Sequence, residues 1–324
     1  SNAITGLNFQ PDFTWIKMSS STASHALQDA VRGNDKTFRT NNTNAQYTNS
    51  FFSSFNSDGF TVATSETDAN ADGSTYASWN WKANGAGSAN TTGSINSTVS
   101  ANTTSGFSIV SYTGNGTSGA TVGHGLGVVP QVIIVKRLPN TDQMIMYHHK
   151  LNATPQDYYI RISDTGAASD FAGMWNDTAP TSSLFSIGNS ATTNANSEAM
   201  IAYCFAEKQG YSKFGSYAAN ANVDGPFIYT GFSPAFVLLK QYNTSGSNWM
   251  LFDDKREGYN IENYYLHPDT NASEGTTDKL DLVSNGFKIR TTGGDTNSGD
   301  FIYMAFAKHP FVANSGESIP TTAR

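Results

Sequence analysis

One cysteine, Cys204, stands in 324 residues, so the chain can form neither an internal disulfide nor a thiolate metal cluster. Charge is scarce too. Asp, Glu, Lys and Arg make up 14% of the residues, against about 25% in ordinary globular domains. The net charge is −7 and there are no basic blocks, which argues against a nucleic-acid face. No run approaches the roughly 18 apolar residues of a membrane-spanning helix. Strong helix formers are few, and no window longer than about 10 residues sustains a 3.6-residue apolar period. Disorder is disfavoured in turn by 20 Phe, 15 Tyr and 5 Trp, since disordered chains are poor in aromatics.

In place of charge the chain carries Asn, Thr, Ser and Gly, gathered between short apolar runs. Runs such as Tyr158-Tyr-Ile-Arg-Ile162 and Trp249-Met-Leu-Phe252 are aromatic or β-branched and bounded by turn residues, the pattern of short strands. Asp58-Gly59 and Asn285-Gly286 read as hairpins, because both central positions of a type I′ turn need positive φ. Helix is expected only as a short turn around 23–31. The expected fold class is all-β, with sandwiches of jelly-roll type.

Three segments share a pattern. Phe13-Thr-Trp-Ile-Lys17, Gln131-Val-Ile-Ile-Val-Lys136 and Ala235-Phe-Val-Leu-Leu-Lys240 each run to a lysine. Each is answered, at nearly equal distance, by an alternating aromatic strand: Tyr76–Trp81, Ile201–Phe205 and Ile302–Phe306. Asn42-Thr-Asn-Ala45, Asp164-Thr-Gly-Ala167 and Asp269-Thr-Asn-Ala272 mark a polar turn inside each segment. Asp29-Ala-Val-Arg-Gly33 aligns with Asp254-Lys-Arg-Glu-Gly258, and the middle segment offers His148-His149-Lys150 there. Three tandem, diverged β-sandwich modules follow, at 4–105, 106–214 and 215–312, with a tail at 313–324. Gly85 to Ser105 reads as a linker or an extended surface strand. Ser1-Asn2-Ala3 has the look of a tag scar and is set aside.

Catalytic chemistry is hard to find. Gly114-Asn-Gly116-Thr-Ser-Gly119 matches the dinucleotide-binding glycine pattern, but the Gly-rich stretch after it cannot start a helix. His148 and His149 are adjacent, so in a strand they face opposite ways and cannot hold one ion. Cys204, in an alternating strand, reads as a buried hydrophobe. Asp253, Asp254 and Glu257 form the best acidic cluster, read as a turn with an Asp254–Arg256 salt bridge mirrored by Asp29–Arg32. No catalytic residue and no cofactor is expected; calcium is the one ion that the loops holding Asp68, Asp72, Asp295 and Asp300 could take. Flat rings beside short polar side chains suit sugars. Trp175, Asn176, Asp177, Tyr242 and Asn243 are therefore the ligand-binding candidates.

Tyr112-Thr-Gly-Asn-Gly-Thr117, Val122-Gly-His-Gly-Leu-Gly-Val-Val-Pro130 and Val132-Ile-Ile-Val-Lys136 together resemble a segment recurring in tail-fibre-like virion proteins of marine tailed bacteriophages. The resemblance covers most of 7–312 and is strongest at 107–137. It implies a non-enzymatic, extracellular role on the virion, in which repeated scaffolds present polar loops to a host-surface glycan or protein. The partners implied are that host molecule and other tail proteins, with no nucleic acid and no membrane insertion. A homotrimer or a pseudo-threefold monomer would both suit it. Two other functions fit the composition: a virion-borne glycan depolymerase, and a bacterial surface adhesin or secreted lectin.

Overall fold

The computed structural model describes residues 1–49, 52–63, 66–256 and 259–309. The first part of the chain forms β1 (Asn2–Thr5), β2 (Phe13–Met18), β3 (Ala26–Asp29), β4 (Gly33–Phe38), β5 (Tyr47–Thr48), β6 (Phe52–Asn56), β7 (Gly59–Val62) and β8 (Tyr76–Trp81). Next come β9 (Ser88–Asn90), β10 (Ser97–Asn102), β11 (Phe107–Thr113), β12 (Ala120–Gly123), β13 (Val132–Arg137), β14 (Met144–His148), β15 (Tyr158–Arg161), β16 (Ser169–Asp170), β17 (Leu184–Ile187) and β18 (Ala199–Phe205). The last part holds β19 (Ser212–Ala218), β20 (Phe227–Tyr229), β21 (Pro234–Gln241), β22 (Met250–Asp253), β23 (Glu262–Tyr265), β24 (Gly275–Val283), β25 (Gly286–Ile289) and β26 (Asp300–Ala307). Three single-turn α-helices, α1 (Ala172–Trp175), α2 (Ala191–Asn194) and α3 (Gly294–Asn297), and a 3-10 turn at Pro155–Asp157 complete the described chain. The fold is all-β.

Three larger antiparallel sheets organise it, in the strand orders β5-β4-β3-β2-β8, β16-β15-β14-β13-β18-β11-β10-β9 and β19-β26-β21-β22. Each of the three lysine-bearing strands pairs with its aromatic strand in the same register. Lys17 lies opposite Ala77, Lys136 opposite Ile201, and Lys240 opposite Ile302. Smaller sheets, β1-β7-β6, β12-β17 and β20-β25-β24-β23, cover the outer faces. Beneath them lie three clusters, around Ile16 with Phe60, Val135 with Phe185, and Leu239 with Phe287.

Because side chains alternate across a strand, the same strands carry a second apolar row. Those inner rows meet in one core. Phe13, Trp15, Trp79 and Trp81 from the first sheet join Ile134, Tyr203 and Phe205 from the second and Phe236, Leu238 and Phe306 from the third. Beside the three outer clusters, the three spans therefore also share one inner core. Burying polar strands alone would not drive this; large rings such as Trp15, Trp81, Phe205 and Phe236 bring apolar area to it.

Polar turns close the arrangement in a ring. In the first contact Asp142 N–H donates to the Thr43 carbonyl and Gln46 N–H to Leu138 O, at 2.8 and 2.9 Å. In the second, Gly246 N–H donates to Thr165 O and Ala168 N–H to Tyr242 O, at 2.9 and 2.8 Å. In the third, Ala23 N–H donates to Asn271 O and Glu274 N–H to Ser19 O, both at 3.0 Å. Ser19, Leu138 and Tyr242 each lie two residues beyond their lysine, and Ala23, Asp142 and Gly246 each lie six beyond. Each Asn/Thr turn thus docks on the next sheet, and the last docks on the first.

Several local expectations change. Of the two readings of 85–105 the strand holds: Ser88–Asn90 and Ser97–Asn102 are β9 and β10, at the edge of the second large sheet. Ala26–Asp29 is a strand paired to β2 where a helical turn was expected. Both hairpins exist, joining β6 to β7 and β24 to β25, yet neither Asp58 nor Asn285 has positive φ. Glycine is required there by close approach: a Cβ on Gly59 or Gly286 would sit 1.9 or 2.0 Å from the carbonyl oxygen of Ile4 or Ile228. The tail at 313–324 lies outside the described residues.

Candidate functional site

The three lysines are the most unusual side chains in the fold. Lys17, Lys136 and Lys240 are 0, 1 and 0% exposed. Lys136 Nζ donates to Thr43 O at 3.0 Å and Asp142 O at 2.5 Å, so it fastens the loop-to-loop contact of the ring. Lys17 Nζ donates to Met18 O at 2.5 Å, and Lys240 Nζ donates to Ser247 O. Burial pulls all three ammonium groups down to about 8, against the pull of nearby carboxylates such as Asp142 and Asp269. A lowered lysine means the unfolded chain holds protons between about pH 8 and 10.5 that the native state has released, so stability rises with pH there. From pH 8 to 9 each lysine is expected to add about 1 kcal/mol. Cys204, whose thiol burial raises to about 12, acts in the opposite sense and returns a few tenths. Urea unfolding should therefore show a net gain of about 2–3 kcal/mol over that unit, although net charge grows more negative. Lys136→Met should lose about a third of the rise; an unchanged slope would refute the assignment.

Trp175 does not serve as a ligand platform. It ends α1, is 2% exposed, and stands edge-on to Tyr147 at 6.0 Å within the second outer core. Packing has claimed it because the short helix turns its ring under β17. Asn176 and Asp177 follow in left-handed backbone, with φ of 54° and 46°, and Asn176 Oδ1 accepts from Ser118 Oγ at 2.7 Å. Asp177 is exposed. Tyr242 is half-buried against the shared core, its main chain tied into the ring contact with Ala168. Asn243 is exposed and its amide donates to Asp300 Oδ2 at 2.9 Å. Among the described residues, no hydrogen bond, ion pair or ring contact joins the Trp175 group to the Tyr242 group.

Phe171, Phe227, Tyr229 and Tyr259 are the exposed rings among the described residues, and two of them share a strand. Phe227 is 47% exposed and Tyr229 65%, on the same face of the edge strand β20, with Ile228 turned inward between them. Lys288 lies opposite Phe227, and its Nζ holds Gly225 O at 2.9 Å and Asp224 at 2.7 Å. This aromatic pair, with a cation beside it, is the candidate surface. Its signal was present as Phe227-Ile-Tyr229, an alternation with rings on one side. That alternation by itself leaves open which side is the wet one.

A family model described as a domain of unknown function, DUF7483, matches residues 1–310. The chain belongs to the DUF7483 family. No curated protein and no solved structure matches it.

In this DUF7483 chain the histidines serve the backbone. Trp15 Nε1 donates to His25 Nδ1 at 2.8 Å, which leaves His25 Nε2–H for His267 O. His148 takes the Lys150 N–H on Nδ1 and gives Nε2–H to Tyr303 O, while His149 Nε2 donates to Phe214 O. Burial holds His25 well below the usual range and His148 down to about 3, so both are neutral at physiological pH.

The acidic cluster corrects the expected register by one residue. Arg256 pairs with Asp253, at 2.7 Å, not with Asp254. Asp253 ends β22 as Asp29 ends β3, and each accepts backbone N–H groups from the turn beyond it. His148 holds the matching place at the end of β14. Asp254 lies 3.0 Å from Lys308 Nζ, and Glu257 lies outside the described residues. Of the calcium candidates, Asp68 is held by Arg39 and Asp300 by Asn243. Among the described residues, no group of three or more His, Cys, Asp or Glu side chains is placed to hold a metal ion. The glycine-rich Gly114–Gly119 turn is fastened by Asn194, whose Oδ1 accepts from Asn115 and Gly116 N–H. That is a structural clamp, repeated where Asn297 Oδ1 accepts from Asn220 N–H.

Proposed function

We propose that this chain is a non-enzymatic component of a phage virion, a tail-fibre or adhesion module that presents a rigid β-scaffold to a host-surface glycan or protein. In this reading the three segments are diverged copies of one module, arranged as a ring within a single chain. The cyclic hydrogen bonds between turns support a single-chain ring in preference to a homotrimer, because each turn already has its docking place filled within the chain. The observation that carries the recognition role is the outward pair Phe227 and Tyr229 on a stiff edge strand. Exposed neighbouring rings suit the apolar faces of sugars or a partner's apolar side chains. A preorganised sheet loses little entropy when it binds, and many copies on one particle would raise a weak affinity by effective concentration.

Labelled protein should adhere to host cells and compete with particle adsorption. The double variant Phe227→Ala/Tyr229→Ala should weaken adhesion about tenfold, at about 0.5–1.5 kcal/mol per ring, while its melting temperature stays unchanged. Undiminished adhesion by the double variant would remove this surface from the reading. Release of reducing sugar from host polysaccharide would replace it with the depolymerase reading.

A further inference from the structure

The aromatic strands of the three large sheets differ in one respect. β18 is paired on both edges, by β13 and β11, and β26 likewise, by β21 and β19. β8 has β2 on one edge, and among the described residues no strand pairs with the other. Ser19 N–H donates to Thr75 O, so by the alternation of an antiparallel ladder Ala77, Trp79 and Trp81 bond toward β2. Tyr76, Ser78 and Asn80 then direct their N–H and C=O groups to the free edge. An open edge of this kind is a template for another strand.

The space beside that edge has the shape of a strand's two rows of side chains. A groove of about 840 Å³, lined by Trp79, Trp81, Phe236, Phe306 and Tyr211, opens on the face toward the shared core. A second groove, of about 590 Å³, is lined by Ile16, Phe60, Val62 and Ala69 on the outer face. Tyr76, Ala77 and Ser78 border both. At the matching places β11 and β19 show what fills such grooves. Phe107, Ile109 and Phe214 enter the shared core, while Val110, Tyr112 and Tyr217 pack on the outer side. The two tyrosines donate to Thr193 O and Thr296 O, each at 2.7 Å.

An acidic side chain borders the same groove. Asp254 lines it with its side chain 7% exposed, ion-paired to Lys308 Nζ at 3.0 Å and Lys255 Nζ at 3.7 Å. Asp254 follows Asp253 as His149 follows His148, and His149 donates to the backbone of β19 at Phe214 O.

We propose that the free edge of β8 docks one extended strand from a partner polypeptide. Its residues would alternate between the two grooves, aromatic or aliphatic toward the core and with a tyrosine on the outer row. This is strand addition to a sheet edge: main-chain bonds supply affinity and alternate side chains supply selectivity. The inference stands on the paired registers and grooves and does not depend on the recognition role of Phe227 and Tyr229.

Synthetic peptides copying residues 106–114 and 211–219 test it directly. Both should bind the purified chain with micromolar affinity by fluorescence anisotropy and raise its melting temperature, and scrambled peptides should do neither. Ser78→Pro removes an outward N–H at a position where an edge strand tolerates proline, so it should fold yet bind neither peptide. Binding weaker than about 1 mM for both peptides would overturn the proposal. So would light scattering that shows the chain pairing with itself through β8, since a second copy would then be the occupant.

Discussion

Arg32→Ala is expected to cost about 3–5 kcal/mol of unfolding free energy, the penalty for leaving one partner of a buried ion pair alone. Arg32 and Asp29 side chains are 3 and 0% exposed, with Nε 2.5 Å from Oδ2. The guanidinium also donates to Leu27 O at 3.1 Å and lies 4.5 Å over the Phe38 ring. Tyr203, from the second sheet, donates its hydroxyl to Asp29 Oδ2 at 2.6 Å. Removing the arginine therefore leaves a carboxylate in the interior and loosens a bond between two sheets. Arg32→Lys should recover part of the loss, because an ammonium keeps the charge without the planar fork. The double variant Asp29→Asn/Arg32→Met should cost less than Arg32→Ala alone, since no charge remains buried. An unfolding free energy from urea for Arg32→Ala within about 1 kcal/mol of the parent's would show that the pair is not held as described.

Trp81→Ala is expected to cost a similar 3–5 kcal/mol, the range for deleting a large buried ring. Its particular consequence is cooperative. Trp81 stands 5.4 Å from Phe13, 6.2 Å from Phe205, 5.6 Å from Phe236 and 5.5 Å from Phe306, so one indole touches all three large sheets. A shared core transmits the loss to every part that borders it. Hydrogen exchange should show amides of β2, β18 and β26 losing protection together, in one unfolding transition. Loss confined to residues 13–81, with β18 and β26 unchanged, would mean that the sheets are stable one by one.

Much of the fold was legible because strand signals are local. The alternating rows of Tyr76–Trp81 and Ile201–Phe205 are strands, and both Gly-containing hairpins fall where expected. The lysine landmarks were legible too, though their burial was not: a lysine at the end of an apolar run reads as the point where a strand meets water. The candidate site was much less legible. Trp175 looked free because no strand explained it, and a single helical turn buried it; Tyr229 looked ordinary and is the more exposed ring. The one-residue error at Asp253 and Asp254 has the same origin. Two adjacent carboxylates in a turn are equivalent in sequence, and only the pairing of β22 with β21 turns one toward Arg256 and the other toward Lys308.

The scarcity of cysteine and charge, together with aromatic alternation, determined by themselves that this chain builds antiparallel sheets held by apolar packing and hydrogen bonds. Strand period and turn residues act over a few neighbours, so they can be read from the chain alone. Only the tertiary structure decided that the inner rows share one core, that each polar turn docks on the next sheet, and that β8, among the described residues, has a strand on one edge alone. Those outcomes depend on which surfaces meet between segments far apart in the chain, and no local pattern of residues encodes such a meeting.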